Sequence, residues 1–256
     1  MATLLREKQL ACIGNAASPD PGPVAPGEMV SLFGQGLGPA EGVQPRVSLK
    51  SGFPKQLANV QVTFDGKPAP LLYVQDNQIN TIVPWSLRVG ATTEICVVYK
   101  EAITNCLDRP VASVAPGVFM TGDGIHAAAL NQDGSINSST NPAKPGSIVS
   151  IFVNGLGPIS PAQPDGSIVG MPLPVNTVPW GVGCLFATIQ TGAYFTSVVE
   201  VKYEGPVPFQ AAGVSQINFT PSFESGATCS RNVQLLNGDP YTGMFSPQFV
   251  IWTAGQ

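Results

Sequence analysis

Fourteen residues, Pro26 to Pro39 (PGEMVSLFGQGLGP), return as Pro145 to Pro158 (PGSIVSIFVNGLGP), with nine positions identical at an offset of 119. A second, shorter element repeats in the same order. Gln78-Ile79-Asn80 precedes Val83-Pro84, and Gln216-Ile217-Asn218 precedes Thr220-Pro221. Two ordered matches mark an internal duplication, so the chain is expected to be two copies of one unit.

Each copy of the longer element reads as a strand running into a tight glycine turn. Met29, Val30, Leu32 and Phe33, and later Ile148, Val149, Ile151 and Phe152, make runs that are apolar on both faces, as in a strand inside a sandwich. Gly36 and Gly38, with their counterparts Gly155 and Gly157, suit backbone that adopts positive φ or passes close to another strand. The spacing is not a phosphate cradle. A dinucleotide fingerprint is GxGxxG opening a helix, whereas here GxGxG meets a proline and no helical period follows.

Composition agrees. With 28 glycines, 25 prolines and only 11% charged residues in 256, short apolar runs are bounded everywhere by turn residues, which favours an all-β chain of sandwich type. Val60, Val62 and Phe64 alternate with polar neighbours, as do Ile95, Val97 and Tyr99; in the second half Leu185, Ala187 and Ile189, then Val199, Val201 and Tyr203, do the same. The expected organisation is one sandwich over 1–117, with 1–14 as a lead-in, and another over 118–256. The halves differ most between Tyr203 and Gln216, where EGPVPFQAAGVS carries eight residues more than the stretch between Tyr73 and Gln78.

The net charge of −4 comes without any basic run, which argues against a nucleic-acid partner. No apolar run reaches membrane-spanning length, and the first residues carry charges where a signal peptide needs its apolar region. For an exported protein, that signal is expected outside this sequence. Five cysteines bear on the compartment. Cys96 and Cys106 flank a short hairpin, and Cys184 and Cys229 flank strands of the second half; both pairs are expected as disulfides in an oxidising environment, with Cys12 left over.

In order along the chain, APGEMVSLFGQGLGP, VTFDGKPAPLLYV, NQINTIVP, VAPGVF, NQDGSINSSTNPAKPGSIVSIFVNGLGP and GVSQINFTP closely resemble the duplicated C-terminal domain of unknown function carried by many exported acidobacterial proteins. Each half is also similar to an IPT/TIG module, whose first strand runs from a Pro-Gly turn to a G-x-G-L-G ending. The resemblance covers about Asn15 to the C-terminus. It implies two tandem immunoglobulin-like β-sandwich domains in an extracellular setting, and it brings no catalytic residues.

Chemistry is sparse. The single histidine, His126, has no G-x-S-x-G elbow and no metal-ligand spacing around it, and reads as a surface or turn residue. The aspartates sit mostly beside glycines, where they bond their own backbone. No cofactor, metal site or catalytic residue is expected. In the Gln-Ile-Asn elements the isoleucines should face the core, which puts Gln78 with Asn80, and Gln216 with Asn218, on the other face; their amides are expected to bond the backbone of a neighbouring loop. Trp85, Trp180, Tyr194 and Phe209 are the candidate contacts for a ligand or partner. The function expected is a non-catalytic extracellular or cell-surface module for adhesion or protein assembly, through a protein partner or self-association. A carbohydrate-binding module and a self-assembling filament or surface-layer subunit are the alternatives.

Overall fold

The computed structural model describes residues 8–18, 21–171, 181–187, 194–199, 201–221, 233–236 and 248–254, with 181–187, 194–199, 233–236 and 248 described as backbone alone. Among the described residues the fold is all-β, without a helix. One sheet contains β1 (Gln9–Asn15), β2 (Met29–Gln35), β5 (Leu71–Val74) and β6 (Gln78–Ile82), in the order β1-β2-β6-β5. A second contains β3 (Val60–Phe64), β4 (Lys67–Pro68), β7 (Thr92–Tyr99) and β8 (Ala102–Ile103), in the order β4-β3-β7-β8, and β9 (Leu107–Pro110) also pairs with β7.

The second half repeats this plan. β10 (Gly117–Val118), β12 (Val149–Asn154), β15 (Val201–Pro206) and β16 (Val214–Phe219) form a sheet ordered β10-β12-β16-β15, with β11 (Ala129–Asn131) also on β12. β13 (Gly181–Ala187), β14 (Tyr194–Val199), β17 (Val233–Leu236) and β18 (Gln248–Phe249) form another, ordered β14-β13-β17-β18. All strand pairs in these sheets are antiparallel.

Alternation explains why the strands sandwich. Val30, Leu32 and Ile79 from the first sheet meet Val60, Val62, Phe64, Ile95 and Val97 from the second, all inaccessible to solvent, in an immunoglobulin-like β-sandwich arrangement. A second buried cluster joins Val149, Ile151, Val153, Ile217 and Phe219 to Phe249 and Ile251. Each large side chain buried this way contributes about 1.5–3 kcal/mol.

The two repeated sequence elements turn out to be hydrogen-bonded neighbours. β2 pairs with β6 so that Ser31 faces Asn80, Leu32 faces Ile79 and Phe33 faces Gln78. β12 pairs with β16 in the same register: Ser150 with Asn218, Ile151 with Ile217, Phe152 with Gln216. The glycines that follow do what their type allows. Gly36 has φ +67° beside Lys8, and Gly155 has φ +75° where a Cβ would run into the Ala115 carbonyl. No helix follows Gly38 or Gly157.

One reading of the pattern needs correction. Val199, Val201 and Tyr203 alternate as though on a single strand, yet β14 belongs to one sheet and β15 to another. Period two reports which residues share a face; it does not report which sheet they join.

Cys96 on β7 is bonded to Cys106, which immediately precedes β9, where Ile95 faces Leu107 across the ladder. Replacing both cysteines by serine is expected to cost about 2–3 kcal/mol, the closure entropy of so short a loop, read as a lower urea midpoint. An unchanged midpoint would show that the bridge adds nothing to the hairpin.

Candidate functional site

The extra residues of the second half build a junction between the two halves. The EGPVPFQAAGVS segment leaves β15 and returns into β16, and Ala211 and Val214 pack with Met29 and Ile82 from the first half, flanked by Phe53, Leu72, Phe119 and Val207. Ala212 packs with Ile159, Val169 and Trp85. A Cβ on Gly213 would strike the Gly27 carbonyl, and one on Gly27 would strike the Trp85 ring, so both glycines are where backbone and indole pass too closely for a side chain. The Trp85 indole N–H is buried there without an acceptor among the described residues.

Polar groups complete the junction. Asn154, inaccessible to solvent, accepts from the Met29 N–H at 2.8 Å and donates to the Met29 carbonyl at 2.7 Å and to Asn15 Oδ1 at 3.1 Å. Asn15 in turn donates to the Ala115 carbonyl at 2.8 Å. Glu28, 1% exposed, accepts the Ala25 N–H at 2.7 Å. Burial pushes its carboxyl up to about 8, against the opposing hydrogen bonds from Ala25 and Asn15. Asp165 accepts the backbone N–H of Trp85 at 2.9 Å and pairs with Lys55 at 3.4 Å, a further tie across the halves.

At the outer end of this junction, large apolar side chains reach solvent. The Phe209 N–H donates to the Val169 carbonyl, and the Leu49 side chain lies beside Gly170, so the segments that carry Leu49, Met171 and Phe209 run next to one another. These three residues are 55%, 73% and 67% exposed. Phe209 holds φ +63°, a left-handed value that an aromatic residue rarely adopts. Of the four aromatic candidates, this places Phe209 in an exposed patch and Trp85 in the junction. Trp180 lies outside the described residues, and Tyr194 is on β14, described as backbone alone. The expected Cys184–Cys229 pair likewise lies outside the described side chains, while Cys12 is a free, exposed thiol.

His126 is held by its neighbours. Its Nδ1 is 2.6 Å from Asp123 Oδ2, and its ring stacks on Trp252 with centroids 3.9 Å apart and planes 7° from parallel. The other Asp123 oxygen accepts the N–H groups of Ile125 and His126 and the Thr121 hydroxyl. These bonds, the backbone ones first, hold the Asp123 carboxyl well below the usual range. The arrangement is a braced turn.

The Gln-Ile-Asn amides depart from expectation. Ile79 and Ile217 are fully buried and the amides face outward, but they bond other side chains of the same sheet rather than a loop backbone. Gln78 Nε2 donates to Asn80 Oδ1 at 3.0 Å and the Ser31 hydroxyl to the same oxygen at 3.1 Å; Gln216 Nε2 donates to Asn218 Oδ1 at 2.7 Å. Residues i and i+2 share a strand face, so each amide's nearest partner is the other. What sequence reasoning missed was the junction. Its signals were the inserted segment and the single acid, Glu28, inside the repeated element.

No family model matches the chain, and no curated protein matches it.

Proposed function

We propose that this chain is a non-catalytic contact module of the cell surface or extracellular space, two tandem immunoglobulin-like units over 1–117 and 118–256 that mediate adhesion or protein assembly. The observation that carries this reading is the exposed Leu49–Met171–Phe209 patch, drawn from both halves and held by the junction. Apolar side chains of this size at solvent, one of them on strained backbone, fit a surface that is covered when a partner or another copy binds. The Cys96–Cys106 disulfide supports an oxidising location. Among the described residues no helix is long and apolar enough to cross a membrane. The sequence resemblance to the duplicated acidobacterial domain and to IPT/TIG modules points the same way, and the chain's lack of any basic run speaks against nucleic acid.

Sedimentation over a range from about 1 μM to 1 mM tests the assembly reading. The expected result is concentration-dependent association that Leu49→Asp with Phe209→Asp abolishes. A monomer throughout the range, or association indifferent to both charges, would count against it.

A further inference from the structure

Five side chains recur at matching register on the outward faces of the two sheets that carry the duplicated elements. In the first half Ser31 and Phe33 on β2 face Asn80 and Gln78 on β6, and Tyr73 on β5 faces Asn80 from the other side, just after a bulge. In the second half Ser150, Phe152, Asn218, Gln216 and Tyr203 take the same places, again with the bulge just before the tyrosine. Their neighbours on the same face differ between copies: Ile82 against Thr220, Gln35 against Asn154. The buried Leu32, Ile79, Ile151 and Ile217 fix which way these positions point. Apart from the buried Ser31, all of them are half-buried, while Met29, Ile82 and Asn154 at the junction end of the same faces are buried between the halves.

The internal hydrogen bonds determine what each face offers. In each half the Asn oxygen is occupied by the Gln amide, which leaves the Asn Nδ2 as a donor and the Gln Oε1 as an acceptor, side by side in a fixed arrangement. A pair of adjacent sugar hydroxyls can donate and accept at once, and so satisfies both. The Phe and Tyr rings beside the amides supply apolar surface for the C–H face of a pyranose. None of these side chains is charged, which favours a neutral ligand over an acidic one.

We propose that the outward faces of β2-β6-β5 and β12-β16-β15 are two equivalent binding sites for neutral carbohydrate chains. This deepens the contact-module reading by naming a ligand class, and it uses residues apart from the apolar patch.

The test is isothermal titration of the full chain with cellohexaose, xylohexaose, mannohexaose and chitohexaose, and with polygalacturonate as the acidic comparison. The expected result is binding of at least one neutral hexasaccharide at two sites per chain. Gln78→Ala with Asn80→Ala, and separately Gln216→Ala with Asn218→Ala, should each weaken one site at least about tenfold, from the loss of two hydrogen bonds. Should either variant fail to fold, hydrogen exchange of the unmodified protein with and without the sugar reads protection of β6 and β16 directly. No binding of any neutral hexasaccharide, binding of polygalacturonate alone, or binding that leaves both strands unprotected and both variants at full affinity would overturn the proposal. Sedimentation of the same variants keeps the two readings apart, because loss of sugar binding with association intact removes only this one.

Discussion

Asn154→Ala is expected to destabilise the protein by about 2–3 kcal/mol and to loosen the two halves from each other. The side chain is inaccessible to solvent and serves both the N–H and the C=O of Met29 while holding Asn15. Truncation leaves the Met29 N–H buried without its partner, at about 1–3 kcal/mol, takes one of two bonds from the Met29 carbonyl, which keeps the Ala16 N–H at 2.9 Å, and opens a small void where water is poorly placed to replace the amide. Asn15, freed of one bond, also loses its fixed pose toward the Ala115 carbonyl. Urea unfolding measures the stability change, and small-angle scattering under native conditions measures the spread between halves. A loss below about 1 kcal/mol with unchanged scattering would mean that the apolar contacts of Met29, Ile82, Ala211 and Val214 hold the junction without the amide.

The strand pattern of the first half could be read because it is local. Val60, Val62 and Phe64 alternate with wet neighbours, and the buried positions of β3 are those three. The Cys96–Cys106 pair was legible for the same reason, since ten residues of hairpin bring the two together. The junction was not, because its determinants lie far apart in the chain. The eight additional residues were visible as a difference in length, but their partners are Met29, Ile82 and Trp85, more than a hundred residues upstream. Gly213 looked like any loop glycine until the Gly27 carbonyl was found against it. The outward amides fall between these cases. Alternation gave their face correctly, while their partners were misread, because a strand leaves a side chain free to bond along its own face or across to a loop.

Glu28→Gln is expected to flatten the dependence of stability on pH between about 4.5 and 8, and to raise the melting temperature most at the alkaline end of that window. Glu28 is almost wholly buried, and its carboxyl is pushed up to about 8 from 4.5 by burial, the Ala25 and Asn15 hydrogen bonds notwithstanding. Between those two values the unfolded chain gives up a proton that the folded protein keeps. Stability from this group is therefore fully present below about 4.5 and is lost progressively as pH rises through the window, by up to about 1.4 kcal/mol per pH step. Glutamine keeps an acceptor for the Ala25 N–H and has no proton to lose. At pH 4.5 the variant and the parent should melt together; at pH 8 the variant should melt higher by about 5–10 °C, a shift of a few kcal/mol for a chain of this size. Asp123 works in the opposite sense: its carboxyl is held low, so its contribution is present at neutral pH and fades only in acid. It lies at the surface, and its titration falls below the Glu28 window. Parallel melting curves for the two proteins from pH 4.5 to 8 would show that Glu28 ionises as freely in the folded chain as in the unfolded one. The junction would then have to admit enough water to solvate a carboxylate, against the burial of Glu28 beside Ala25 and Asn15.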